Sequence, residues 1–349
     1  MPSPVSRRVL PSPRSSTPRS RLAVVVVITG ALLLAACSAA DTTSTGAGSS
    51  TTPPATGAST TTRPASSGPT TPMPADGTVT KVTIPGTTSK FQVRQAYVYL
   101  PPAYQADPSL HLPVLMMLHG TPGGPENWAQ EGAAPATANT YAATNNGKTP
   151  IIVMPDFSGV NGKDTQCVDG RLGSSETYLT VDVPNYMRTH YRTTTGPGSL
   201  GVAGLSAGGF CSLMLTVRHP DLFSVFGDYS GVAHPELDPP ADALKEVFGG
   251  DRKAFDAHDP TKVIPQKRFT GTAGWFETGL QDPDPLQPTQ DVAKQAAAAG
   301  MSTCVLTRTG GHDFAFWVKA FSNSLPWISM QLKIADPPVD THGAVCTNP

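Results

Sequence analysis

Gly204-Leu205-Ser206-Ala207-Gly208 is the stretch of this chain best suited to chemistry. A serine hydroxyl is a weak nucleophile until a base takes its proton, and the base, usually an imidazole, needs a carboxylate to orient it. An apolar run, 200–203, enters the pentad and a helical run, 209–218, leaves it. A serine between a strand and a helix turns so sharply that neighbours two positions away cannot carry bulky side chains, which accounts for Gly204 and Gly208. The turn presents the Ser206 hydroxyl at the sheet edge and aims the helix N-terminus at it, where backbone N–H groups meet negative charge. The chemistry this implies is acyl transfer through an acylserine. Such a pentad arises readily in a Gly- and Ser-rich chain, so its partners and its setting have to carry the inference.

In a sheet of this kind the partners follow in the order serine, acid, histidine. His312, in Gly310-Gly311-His312-Asp313-Phe314, comes after the last central strand, and its two glycines let a loop bring an imidazole back over the sheet. His219 and His234 are nearer in sequence but stand beside Pro220 and Pro235, in a helix exit and a surface loop. For the acid, Glu277, Asp282, Asp284 and Asp291 all follow one strand. Asp282 is preferred, because Gly279 turns the chain away from the strand end while Glu277 is still within it; Asp284 is the alternative. Asp313 suits an N-terminal cap. An acyl-transfer site also needs donors for the oxyanion, expected from the backbone N–H of Ala207 and of Thr121, since Pro122 has none to give. His119 is then a structural residue of that loop. Trp128, Phe316 and Trp317 lie in segments expected to ring the mouth and are candidates for the substrate pocket, with simple core or wall as the alternative for each.

The elements that must position these residues are legible as runs. Edge strands are expected at 79–84 and 92–100, and continuous apolar runs at 114–118, 151–154 and 200–203 read as strands buried on both faces. Further strands are expected at 225–229, 274–277 and 303–306, with helices at 177–189, 210–218, 290–299 (closed by Gly300) and 314–330. Strands alternating with helices predict an α/β fold: a mostly parallel central sheet, helices on both faces, a single domain over 78–349. Its chemistry would gather at the carboxyl ends of the strands.

The preceding residues are of a different kind. Arg7, Arg8, Arg14, Arg19 and Arg21 precede an uncharged apolar run, 22–36, ending in Leu34-Ala35-Ala36-Cys37. The run is too short to span a bilayer, which takes about twenty residues. Residues 1–36 read as an export signal, and its end is similar to a bacterial lipoprotein cleavage site, which implies lipid on Cys37 and attachment to the outer face of the cell envelope. Residues 37–77 are almost entirely Thr, Ser, Ala, Gly and Pro and read as a flexible linker. Cleavage would remove five arginines and no acid, leaving 20 basic against 26 acidic residues, a net charge of about −6. No clustered basic face favours nucleic acid.

Export implies an oxidising compartment. Cys167, Cys211, Cys304 and Cys346 form no C-x-x-C and no zinc-like spacing with histidine. They allow three pairings, of which Cys167–Cys211 with Cys304–Cys346 is favoured, the latter pinning a Pro-rich tail to a late strand. No metal or organic cofactor is implied, and oligomeric state is not legible.

Tyr97-Val98-Tyr99-Leu100-Pro101-Pro102, Leu112-Pro113-Val114 through His119-Gly120, Met154-Pro155-Asp156, the 204–208 pentad with Gly209, Arg218-His219-Pro220, Tyr229-Ser230-Gly231 and Gly311-His312-Asp313 together resemble the putative-esterase branch of the α/β-hydrolases. That branch is similar to esterase D, feruloyl esterases and mycolyltransferases. The resemblance covers about 90–335 and implies an α/β-hydrolase fold and serine-esterase chemistry, with Ser206, Asp282 and His312 on the triad positions. The Cys167, Cys211 pair marks a secreted subgroup. The implied activity is carboxylic ester hydrolysis on a small-molecule, lipid or carbohydrate ester; the alternatives are acyl transfer to a sugar or lipid hydroxyl and an idle fold that only binds.

Overall fold

Five strands of the central sheet bury every side chain they carry, on both faces. The structure is a computed structural model that describes residues 72–237 and 242–347, all within one compact unit. The expected signal, Cys37 and most of the expected linker lie outside the described residues.

The nine strands of the sheet are β1 (Thr78–Val82), β2 (Ala96–Leu100), β3 (Val114–Leu118), β4 (Ile151–Met154), β5 (Leu200–Leu205), β6 (Val225–Tyr229), β7 (Ala273–Gly279), β8 (Ser302–Arg308) and β9 (Val345–Thr347). Their spatial order is β1-β2-β4-β3-β5-β6-β7-β8-β9. The run from β4 to β8 is parallel, and β1, β2 and β9 are antiparallel additions at the two margins. β5 therefore sits at the centre, and the serine that follows it emerges mid-sheet.

Strand periodicity divides the core into two layers. Met116, Val202, Phe226 and Phe276 face one way, under helices α2 (Val183–His190), α3 (Ala207–Arg218) and α4 (Pro283–Ala298). Leu115, Met117, Ala203 and Trp275 face the other, under α1 (Ala134–Thr144) and α5 (Phe314–Gln331). This is the expected mostly parallel sheet with helices on both faces. α3 is buried from Gly208 to Val217, so the helix that follows the serine is held all round.

Several boundaries differ from expectation for local reasons. β2 begins at Ala96 because the preceding backbone is diverted, the Arg94 N–H donating to the Asp156 carboxylate. The single helix expected over 177–189 is instead a π-helical turn, Tyr178–Asp182, leading into α2. α4 starts seven residues early: Pro283 opens its first turn, where a proline loses no intrahelical bond. α1 carries no large apolar residue at helical spacing and its buried stripe is only Ala134, Ala138 and Ala142, so it gives no sequence signal. Two disulfides, Cys167–Cys211 and Cys304–Cys346, have the expected pairing, the second joining β8 to β9 at paired positions.

Candidate active site

Ser206 follows the last residue of β5 with φ 54° and ψ −123°, a conformation that side-chain-bearing residues rarely adopt. Such strain costs about 1–3 kcal/mol and persists only when the surroundings impose it. They do so here through the Ser206 N–H, which donates to Tyr229 O (2.9 Å), and the Ser206 carbonyl, which accepts from Gly209 N (2.8 Å). A β-carbon on Gly208 would lie 2.3 Å from Leu118 O, so the turn closes only with glycine there.

His312 arrives on the loop after β8. Its Nε2 is 2.9 Å from Ser206 Oγ and its Nδ1 is 2.8 Å from Asp282 Oδ2. An ionised carboxylate only accepts, so Nδ1 carries the proton and Nε2 is left to accept from the serine hydroxyl. Asp282 is nearly buried at the N-cap of α4, while His312 remains partly open to solvent. Asp313 Oδ1 accepts from Phe316 N (2.9 Å) and caps α5.

The other carboxylates are engaged elsewhere or stand apart. Glu277, fully buried in β7, pairs with Arg308 (2.6 Å) and accepts from Trp275 Nε1 (3.0 Å) and Asn323 Nδ2 (2.9 Å). Asp284 lies in the first turn of α4 and Asp291 pairs with Lys294. His219 and His234 contact Glu176 and Glu236 and are not bonded to the serine.

Ser206, His312, Ala207 and Thr121 line one cleft of about 320 Å³. The Ala207 N–H belongs to the first turn of α3, where no intrahelical acceptor is available. Leu205, Val232, Phe314 and Trp317 supply apolar wall. Asn127, Asp164, Gln166 and Glu236 supply polar wall. Trp317 meets His312 edge-on, with ring centres 4.9 Å apart.

Two expected wall residues are corrected. Trp128 is fully buried, its Nε1 donating to Leu118 O (2.8 Å) and its ring packed on Tyr229 and Phe321, so it supports the loop from below. Phe316 is buried beneath the Arg308 guanidinium (3.9 Å). Helical spacing explains the second case: Phe314 and Trp317, three apart, share the face toward the cleft, and Phe316 points elsewhere.

His119 holds the loop after β3, as expected, but through partners that sequence reasoning missed. His119 is fully buried, stacked on Phe157 at 4.1 Å, with Nδ1 2.8 Å from Gly120 O and Nε2 3.4 Å from Asp156 Oδ1. Asp156 also accepts from Arg94 Nη2 (2.7 Å) and Nε (3.1 Å), and Arg94 Nη2 donates to Gly123 O (2.9 Å). Burial pushes the Asp156 carboxyl up, but the nearby His119 and the hydrogen bonds from Arg94 outweigh it and hold the group well below the usual range. Met154-Pro155-Asp156 was a visible signal, but its role was not.

The description "Putative esterase" fits a family model over residues 91–328 of this chain. The chain belongs to the putative esterase family. An uncharacterized protein of Corynebacterium glutamicum is 35% identical to this family member over 263 residues, 72% of this chain and 62% of that protein. A diacylglycerol acyltransferase/mycolyltransferase of Mycobacterium leprae is 32% identical over 95 residues, 27% of this chain and 28% of that one. The chain thus spans less than two thirds of the length of these relatives. Among solved structures, a ferulic acid esterase superposes with a TM-score of 0.64 at 22% identity, covering 74% of this chain and all of that one. The fold is that of the α/β-hydrolase esterases.

Proposed function

We propose that this protein is a serine-dependent carboxylic ester hydrolase working through an acylserine. The observation that carries the proposal is the line Ser206 Oγ, His312 Nε2, His312 Nδ1, Asp282 Oδ2, with links of 2.9 and 2.8 Å, opening on one cleft.

His312 takes the Ser206 proton as the hydroxyl oxygen bonds to the ester carbonyl carbon. Asp282 stabilises the imidazolium that forms. The N–H groups of Ala207 and Thr121 meet the oxyanion; a donor of this type is worth about 3–4 kcal/mol of barrier. The tetrahedral species collapses, the carbon–oxygen bond to the alcohol breaks, and His312 returns its proton to the leaving oxygen. Water, deprotonated by His312, then releases the acid and frees Ser206.

The partial match to a mycolyltransferase favours a second reading, in which a sugar or lipid hydroxyl replaces that water. Turnover of a para-nitrophenyl ester by wild type and Ser206→Ala, with and without glucose or glycerol, tests both. Loss of turnover in the variant supports the esterase reading, and equal turnover contradicts it. New acyl-sugar or acyl-glycerol product would assign transfer.

The setting we propose is the outside of a bacterial cell envelope, with residues 1–36 removed, lipid on Cys37 and 37–77 as tether to a catalytic domain over 78–349. Two disulfides support an oxidising location. Cys37→Ser should shift the protein from the membrane fraction to the medium, and unchanged fractionation would reject the anchor.

A further inference from the structure

Asp164 shares the cleft with Ser206, and the steps above do not use it. Its Oδ1 accepts from the Gln166 backbone N–H (2.8 Å) and its Oδ2 from Gln166 Nε2–H (2.9 Å). Both oxygens accept, as those of an ionised carboxylate do. Burial nonetheless pushes this carboxyl above its ordinary range, opposed by hydrogen bonds from Gln166 and, more weakly, by the nearby His119. Asp164 forms no ion pair among the described residues, so its charge is left largely uncompensated.

The group is also held firmly. Gln166 is buried with φ 53°, its Oε1 accepts from Glu236 N (3.0 Å), and the next residue, Cys167, is bonded to Cys211 of α3, the helix that Ser206 begins. Glu236, the second acid of the cleft, is compensated by His234 at 3.3 Å, whose imidazole that contact pushes up. No lysine or arginine lines the cleft among the described residues, and Arg94 is already paired with Asp156.

We infer that Asp164 is a specificity-determining residue that makes the cleft accept esters whose enclosed part is uncharged or cationic and reject those carrying a carboxylate or phosphate there. This rests on the esterase reading of the same cleft. An anionic substrate would give up hydration without meeting a cation, and it would face Asp164 across a short, partly dry distance.

The test compares kcat/KM for para-nitrophenyl hexanoate, its ω-carboxylate analogue and its ω-trimethylammonium analogue, alongside a second series with the charge on the alcohol part. The expected result is a preference for neutral over anionic ester on the order of 10- to 100-fold in at least one series. Asp164→Asn should reduce that ratio several-fold and Asp164→Glu should keep it. Should Asp164→Asn fail to fold, the wild-type ratio and its decline with added sodium chloride decide the matter. Equal turnover of neutral and anionic esters in both series, or a ratio unmoved by Asp164→Asn, overturns this inference alone. Failure of the wild type to hydrolyse even the neutral esters overturns the esterase reading, and this inference with it.

Discussion

Gly279 and Gly310 approach so closely that a β-carbon on Gly279 would fall 2.2 Å from the Gly310 carbonyl oxygen. Around this contact the Leu280 N–H donates to Arg308 O (2.8 Å), the Gln281 N–H to Gly310 O (2.9 Å) and the Gly310 N–H to Gln281 Oε1 (2.7 Å). The loop bearing Asp282 and the loop bearing His312 are thereby fastened as one piece. Gly279→Ala should push them apart, and a displacement near 1 Å at a reacting group costs on the order of 10²-fold in rate. Ester turnover measured beside thermal unfolding checks this: a folded variant with wild-type kcat would show that the contact does not set the geometry.

Asp282 and Asp284 are two residues apart, but only the first is bonded to His312. Asp282→Asn should keep the fold while lowering kcat by about 10³- to 10⁴-fold, because the imidazole tautomer is no longer enforced. Asp284→Asn should stay near wild type. The reverse ranking in steady-state kinetics would move the acid to Asp284.

What is legible in the sequence divides along physical lines. Ser206 and His312 were legible because a tight strand-to-helix bend and a returning loop both need glycines in fixed places, and the fold brings those two side chains together. Asp282 was chosen over Glu277 on the same argument, that a carboxylate past Gly279 can turn back whereas one inside β7 cannot. Trp128 and Phe316 are not resolved by sequence because an aromatic residue suits a core and a pocket wall equally well, and the fold places both in the core. Only the helical phase of α5 separates Phe316 from Phe314 and Trp317. Asp156 is visible in Met154-Pro155-Asp156 but its role is not, and Arg94, Asp164 and Gln166 give no signal, since long irregular loops bring them to the site with no periodicity to betray it.

Asp228, at the carboxyl end of β6, is fully buried and accepts from Gly231 N (2.8 Å), with its second oxygen unpartnered. Burial pushes its carboxyl up to about 7, only partly opposed by that hydrogen bond. The folded protein therefore holds a proton that the unfolded chain gives up near pH 4. Stability from this group is complete below that pH and declines as pH rises toward 7, by up to roughly 4 kcal/mol. Asp228→Asn, which keeps an acceptor for Gly231, should be more stable than wild type at pH 8 and no more stable at pH 4. Denaturant titrations at the two pH values measure it, and a gain independent of pH would contradict the account.

The two disulfides should differ in consequence. They close segments of 44 and 42 residues, each worth about 4 kcal/mol in the chain-entropy account. Replacing Cys304 and Cys346 together by serine should lower the unfolding temperature and leave kcat/KM for a neutral ester near wild type, because β9 lies at the sheet margin. Replacing Cys167 and Cys211 together should lower both, because Cys167 adjoins Gln166 in the cleft wall. Paired melting and turnover measurements would refute this if the two variants behave alike.

The central claim is that Ser206 is a nucleophile activated by His312. Incubation with a fluorophosphonate followed by peptide mass mapping tests it most directly. The account predicts one adduct, on Ser206, formed by wild type and lost in His312→Ala. Absence of labelling in folded wild type, or an adduct on another residue, would contradict it.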